Sequence, residues 1–375
     1  MIKRDIENKI RQKLNGGKTI IIYGARQVGK TTLLHQIFDD KDGVLWLNGD
    51  IEATRERFEG LSLDTAQTLI GDHKIVIIDE AQRIENIGLK LKILQDNFGD
   101  RVQFVATGSS SFDLANKINE PMTGRVWTFQ LFPLKVSELV GAFGAAKETG
   151  ALENRLIYGS YPDVANNPKD AAEIVTMLSQ ENLYKDALNF SEIIKVEYLG
   201  KILKALAFQI GSQVSVNEIA NLVGLDNKTV DKYISLLEQA FIIFRLPSFG
   251  KNLRNEIKTS QKIYFYDVGI RNGLIGDFRP TASRQDIGGL FENYVIAEYK
   301  KQNDGKLYFW RNYDGQEVDL LVEKNIEISA VEVKWSKDAS LPKAFVKTYA
   351  PKEQVCINRE NYLNRIVEVQ KNKNE

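Results

Sequence analysis

Apolar residues along the chain change period several times, and each change predicts an element. Ile2, Ile6, Ile10 and Leu14 recur every fourth residue, which predicts a short amphipathic helix ended by Asn15-Gly16-Gly17. Thr19–Tyr23 is a β-branched run and predicts a buried strand. A glycine-bearing loop and a helix to about Phe38 follow. Residues 44–47, 74–78 and 101–107 predict three further strands with helical stretches between them. Strands alternating with helices predict an α/β fold, a parallel sheet with helices on both faces. From about Pro133 to Phe190 the pattern is helical, punctuated by Gly159-Ser160-Tyr161-Pro162-Asp163, and a helical lid is expected. Residues 200–246 predict short helices and then an apolar strand at Phe241-Ile242-Ile243-Phe244. The polar, basic stretch 247–259 reads as a linker or wing, 262–266 as a strand, and 287–301 as a helix followed by several strands. The tail, residues 371–375, is expected to fray.

Gly24-Ala25-Arg26-Gln27-Val28-Gly29-Lys30-Thr31 satisfies every fixed position of G-x-x-x-x-G-K-S/T, with a strand entering and a helix leaving. Such glycines let backbone amides turn toward phosphate oxygens, and the helix N-terminus adds positive charge. Nucleotide contacts are therefore expected at Gly24, Ala25, Arg26, Gln27, Val28, Gly29, Lys30, Thr31 and Thr32. Lys30 would reach the β- and γ-phosphates, and the Thr31 hydroxyl would ligate Mg2+. Ile75-Val76-Ile77-Ile78-Asp79-Glu80 ends a buried strand in two carboxylates, where open parallel sheets place ligands. Asp79 would complete the magnesium shell, and Glu80 would orient and deprotonate the attacking water. The fourth strand ends in Ala106-Thr107-Gly108-Ser109-Ser110-Ser111. Ser109 and Thr107 are both candidates to sense the γ-phosphate, or to cap the next helix. Arg125, in Met122-Thr123-Gly124-Arg125, is either an arginine finger for a neighbouring subunit or a structural ion pair.

At this point the first 190 or so residues resemble an AAA+ ATPase. The matching residues are the phosphate loop, Ile-Ile-Asp-Glu-Ala-Gln at 77–82, Thr-Gly-Ser-Ser at 107–110, and Gly-Arg at 124–125 leading to Leu-Phe-Pro-Leu at 131–134. Nearly the full length resembles a bacterial and archaeal group of AAA+ proteins with a C-terminal winged helix and a nuclease-like domain. The resemblance implies ATP binding and a P-loop core.

The residues of the second half agree with that architecture. Ser215 followed by Glu218 is a capping box, Gly224 closes the helix, and Asp226 caps a second one, as in a helix-turn-helix. Asn227, Lys228, Asp231 and Lys232 would face a DNA major groove, or the element would pack against protein. Beyond the Asp314-Gly315 turn, strict alternation sets Glu317 and Asp319 on one strand face and Val318, Leu320 and Val322 on the other. On the returning strand Glu332 and Lys334 oppose Val331, Val333 and Trp335. Asp319, Glu332 and Lys334 then converge on a solvent-facing side, and D-x12-E-x-K resembles the PD-(D/E)xK nuclease core. Asp319 and Glu332 would ligate magnesium, with Glu292 of the preceding helix completing the shell and Lys334 positioning water. The expected domains are a P-loop core at 1–135, a lid at 136–192, a winged helix at 193–255 and a restriction-endonuclease-like α/β domain at 256–375.

Composition narrows the function. The 375 residues suffice for two or three domains, and 43% apolar residues can build real cores. Fifty basic and fifty acidic residues cancel, which argues against a generally polycationic nucleic-acid binder but permits local basic patches. One cysteine excludes an internal disulfide framework, and two distant histidines leave no zinc site. With no long apolar run and no signal-peptide core, no membrane association is expected and a cytoplasmic protein is. The expected activity is Mg2+-dependent ATP hydrolysis, with self-association and a C-terminal half acting on DNA. The rival is an ATP-controlled switch that binds a protein partner with the nuclease site inactive. A small-molecule kinase using the same loop would lack both the Asp79-Glu80 pair and the appended domains.

Overall fold

The computed structural model describes residues 1–108, 122–182, 196–250, 261–302 and 305–371. The chain divides into two compact units: residues 1–133 with 239–241, and residues 134–238 with 242–375.

The first unit begins with α1 (Ile6–Lys13), β1 (Thr19–Tyr23), α2 (Lys30–Phe38) and β2 (Val44–Asn48). It continues through α3 (Glu52–Glu59), α4 (Leu63–Ile70), β3 (Ile75–Asp79) and α5 (Ile87–Phe98) to β4 (Gln103–Gly108) and β5 (Val126–Gln130). All five strands are parallel, in the order β2-β3-β4-β1-β5. β1, β3 and β4 are buried along their whole length, as their unbroken apolar runs require. β5 was not among the expected strands. It lies at the sheet edge with alternate residues exposed, so it has no apolar run to announce it. Because β4 lies between β1 and β3, the ends of these three strands meet at one place.

The second unit opens with α6 (Val136–Phe143), α7 (Ala145–Gly150), α8 (Leu152–Tyr158), α9 (Pro162–Asn166) and α10 (Ala171–Met177). Next come α11 (Val196–Phe208), β6 (Gln213–Val214), α12 (Val216–Val223), α13 (Asn227–Gln239), β7 (Ile243–Pro247) and β8 (Gln261–Phe265). β6, β8 and β7 form a three-stranded antiparallel sheet in that order. Leu203, Ile219, Val230, Ile234, Ile243 and Ile263 share one core beneath it. The strand expected at 241–244 starts two residues later, since Phe241 turns the chain at φ 57°. β8 pairs with β7, so it closes this small sheet rather than opening the C-terminal domain.

After α14 (Val268–Ile275) and α15 (Ile287–Gln302) come β9 (Lys306–Arg311), β10 (Glu317–Lys324), β11 (Glu327–Val333), α16 (Lys343–Tyr349), β12 (Glu353–Ile357) and α17 (Tyr362–Lys371). The sheet runs β12-β11-β10-β9, with β12 parallel to β11 and the other pairs antiparallel. Trp310, Val318, Leu321, Ala330 and Phe345 pack one of its faces. Of the linker or wing expected at 247–259, residues 251–259 lie outside the described residues, as do the end of the lid and residues 372–375 of the tail. Among the described residues no helix is long and apolar enough to cross a membrane.

Candidate functional site

β1 delivers the chain into the loop 24–29, and α2 leaves it at Lys30. The turn needs two residues at positive φ, Gln27 at 60° and Gly29 at 93°. Gly24 answers a different demand: a Cβ there would lie 2.1 Å from the Leu131 carbonyl oxygen, at the end of β5. Arg4, buried, braces the loop by donating to the Val28 oxygen at 2.7 Å and the Phe132 oxygen at 2.6 Å. Nothing in the sequence marked Arg4, because its partners are backbone carbonyls far along the chain.

The functional side chains converge from three strand ends. Lys30 is buried, and its Nζ donates to the Gly24 and Ala25 carbonyls at 3.0 and 2.9 Å. The Thr31 hydroxyl donates to Asp79 Oδ2 at 2.7 Å, and the Thr107 hydroxyl donates to Asp79 Oδ1. The Glu80 backbone N–H reaches both Asp79 Oδ1 and Thr107 Oγ1 at 3.2 Å. Glu80 itself is left-handed at φ 50°, which turns its side chain off the strand line, and the Gln82 amide donates to its carboxylate. A Cβ on Gly49 would sit 2.4 Å from the Glu80 carbonyl oxygen, so the residue after β2 is a glycine, which lets this turn close. Of the two sensor candidates, Thr107 is in the network, and Ser109 lies outside the described residues. Thr32 is exposed on the first turn of α2. Arg125 pairs with Asp96 at 2.5 Å, both side chains over a third exposed.

A hydroxyl and a carboxylate 2.7 Å apart are hard oxygen donors suited to magnesium, and they stand beside a lysine at a helix start. These residues fit a magnesium–nucleotide site. Residues 16–140 match the family described as an AAA domain. A Walker-type ATPase of Pyrococcus abyssi aligns in structure with a TM-score of 0.50 and 17% identity, over 73% of this chain and 96% of that one, which is a likeness of fold.

Residues 16–140 are an AAA-type ATPase domain.

Residues 149–281 and 287–371, beyond the ATPase domain, match two families described only as domains of unknown function (DUF8612 and DUF4143). An uncharacterized protein of Mycobacterium tuberculosis is 26% identical over 348 residues, covering 91% of this chain and 76% of its own length. One of Haemophilus influenzae is 24% identical over 338 residues, covering 84% and 81%.

The second unit, apart from the ATPase domain, gathers the other charged cluster. The α15 residue Asn293 is fully buried and acts as a strand edge: it accepts from the Phe265 N–H at 2.8 Å and donates to the Phe265 carbonyl at 2.7 Å. That clamp lays Glu292 against β8. Its Oε1 accepts from Tyr264 Oη at 2.6 Å and from Lys262 Nζ at 2.9 Å, and Lys262 also holds Glu317 at 2.5 Å. On the hairpin, Lys334 Nζ lies 3.1 Å from Asp319 and 2.6 Å from Glu332, and Asp319 accepts the Val333 N–H at 2.8 Å.

The structure thus unites Asp319, Glu332 and Lys334, but not as a solvent-facing group. Asp319 and Glu332 are 5% and 8% exposed. A register shift between Val318 and Leu321 opposite β9 breaks the expected alternation, and residues 318–321 are all buried. Burial pushes the Glu292 carboxyl up to about 7, with Lys262 opposing and Asp319 adding to the rise. Burial and then Asp319 raise Glu332 as well. Burial pulls the Lys262 ammonium down, but Glu292 and Glu317 outweigh it and hold it above its ordinary value. Lys262 is the member that the sequence did not mark; Glu317, expected on the Asp319 face, joins the cluster through it.

A metal shell of Glu292, Asp319 and Glu332 is not what this arrangement resembles. Among the described residues no three such groups are disposed around a common metal position. Two ammonium groups pair with the carboxylates instead, Lys262 with Glu292 and Glu317, and Lys334 with Asp319 and Glu332. One acceptor remains, the buried Oε2 of Glu332, which has no hydrogen-bond partner.

Proposed function

We propose that the ATPase domain drives a DNA-associated C-terminal half, and that the AAA-type site hydrolyses ATP with magnesium. The observation that carries the reading is the network joining Thr31, Asp79, Thr107 and Glu80 at the ends of β1, β3 and β4. Lys30 would bind the phosphates, Thr31 and Asp79 would hold magnesium, and Glu80 would take a proton from the attacking water. Magnesium, when bound, neutralises phosphate charge. Gln82 fixes the Glu80 carboxylate as an acceptor. Arg125, half-exposed, would serve the site of a neighbouring subunit on leaving Asp96, so self-association belongs to this reading.

Support for the DNA-associated half comes from topology. The order α11, β6, α12, α13, β7, β8 with the sheet β6-β8-β7 is compatible with a winged helix and supports that reading. Asp226 caps α13 by accepting the Thr229 N–H at 2.9 Å, and Asn227, Lys228, Asp231 and Lys232 are all exposed. The order α15-β9-β10-β11-α16-β12 is compatible with a nuclease-like domain and supports that part of the reading. The proposed organisation is the core at 1–135, the lid at 136–192, and these two domains beyond it, with β8 assigned to the winged helix. The test is ATP turnover with and without DNA, and DNA-stimulated turnover is expected. Turnover unchanged by any DNA but raised by a protein partner would replace this reading with the second one.

That second reading, an ATP-controlled switch with a silent nuclease site, is favoured by Lys262, whose ammonium occupies Glu292 and Glu317. Plasmid, branched and single-stranded DNA incubated with magnesium or manganese, with Lys334→Ala as control, separates the two. No cleavage by the wild type supports the silent site.

A further inference from the structure

β7 and β9 are the edge strands of two different sheets. They meet at a single parallel bridge between Ser248 and Phe309, where the Phe249 N–H donates to the Phe309 carbonyl at 2.7 Å. Before that bridge the two strands part and leave a cavity of about 340 Å3. Its walls carry three cations, Arg245, Lys300 and Lys306, and two rings, Phe244 and Tyr308. None of the described lining residues is acidic.

Lys300, on the last turn of α15, is the informative member. It is half-buried, and its Nζ lies 5.6 Å from the centre of the Phe244 ring. No carboxylate among the described residues is within ion-pair distance of it. Burial pulls its ammonium below the ordinary value, and only Glu238 opposes this. Glu238 is already engaged, accepting from the Arg245 guanidinium and from the Arg245 N–H at 2.8 Å. Arg245 reaches Asp231 as well, at 2.7 Å. Across the strand pair Lys306 faces Glu323. Among the described residues, a half-buried ammonium at the wall of a cavity is therefore left without a carboxylate at ion-pair distance.

We propose that this cavity is a binding site for the phosphate of a nucleotide unit, with Lys300 and Lys306 on the phosphate and Tyr308 beside the base. An incoming phosphate supplies a counter-charge to Lys300, and the exposed Lys306 adds a second ammonium, while Arg245 stays engaged with Glu238 and Asp231. A cavity of this size is at the lower end of small-molecule sites, about 300 Å3 and upward, and suits one nucleotide unit rather than a duplex. Aromatic walls favour single strands, whose bases are free to stack. The unit comes either from single-stranded nucleic acid or from a free nucleotide. The proposal rests on the reading of the C-terminal half as DNA-associated, but it moves the contact from α13 to the junction of the two sheets.

The test uses the full chain and a fluorescein-labelled oligothymidylate, followed by anisotropy across a salt series. Lys300→Met, which keeps the aliphatic stem, and Lys306→Ala, an exposed position, should each weaken binding about tenfold. Each should also reduce the slope of log affinity against log salt by about 0.7. Thymidine monophosphate displacing the oligonucleotide identifies a free nucleotide as sufficient, and failure to displace it identifies the polymer; either supports the site. Wild-type affinity and slope in both variants overturns it. If Lys228→Ala with Lys232→Ala abolishes duplex binding while Lys300→Met leaves single-strand binding intact, the cavity is wrong and the DNA reading stands. If the wild type binds no nucleic acid, both fall. Equal displacement by oligoglutamate overturns the assignment to phosphate.

Discussion

Gly24 and Lys30 stand six residues apart in the same loop and do unlike work. In the proposed mechanism Lys30 would meet ligand phosphates in the ground state, whereas Glu80 would act only on the reacting water. Lys30→Ala should therefore abolish binding of a fluorescent ATP analogue, and Glu80→Gln should keep that binding while lowering steady-state hydrolysis at least about 100-fold. Hydrolysis at the wild-type rate in Glu80→Gln would remove Glu80 from the role of base. Gly24→Ala would fail for a packing reason, because its Cβ would lie 2.1 Å from the Leu131 carbonyl oxygen. A loss of about 3 kcal/mol is expected in urea unfolding, with nucleotide affinity falling as the loop shifts. The motif residues were legible in sequence because they are consecutive. What Gly24 makes room for was not, since Leu131 arrives from the far end of the sheet. Arg4 escaped notice for the same reason.

Among elements, β8 and α15 carry the largest departure from the alternation argument. Asp319, Glu332 and Lys334 could be brought together from the hairpin pattern alone. The bulge opposite β9 could not, and neither could Lys262, a single lysine on a strand two elements upstream. Removing it in Lys262→Met takes the cation from Glu292, 13% exposed, and from Glu317, 25% exposed with Arg311 still 3.8 Å away, and a loss of about 1–3 kcal/mol in unfolding free energy is expected. Wild-type stability in that variant would show that the ion pairs do not form. Glu292 also gives a pH signature. Its folded carboxyl titrates near 7, above the unfolded range of about 4.3, so between these values the folded chain holds a proton that the unfolded chain has released. Its contribution therefore falls as pH rises through this window and is flat above it. Urea unfolding of the wild type against Glu292→Gln at pH 5, 6, 7 and 8 should show the wild type losing ground by at most about 1.4 kcal/mol per pH unit up to 7. A pH-independent difference contradicts the assignment.

At the scale of the molecule, the parallel sheet was readable from its buried strands, and only the half-exposed edge strand β5 was not. The later boundaries were harder, because β8 follows a polar stretch yet pairs back with β7. If Arg125 serves a neighbour, ATP should enlarge the particle seen by light scattering in Glu80→Gln, and Arg125→Ala should lower turnover without weakening ATP binding. A strictly monomeric protein with full turnover would leave Arg125 as the partner of Asp96 alone.

The lysine on β8 also bears on how such proteins can be cut and recombined. The two C-terminal family matches meet between residues 281 and 287, which invites treating them as separable modules. Lys262 lies on one side of that seam, and Glu292 and Glu317 on the other. A fragment starting at 287 would inherit the acids without their counter-ion and the Asn293 clamp without the strand it grips. A terminal segment moved to another chain is therefore expected to need β8 with it, and the cohesive unit in this chain extends beyond the seam.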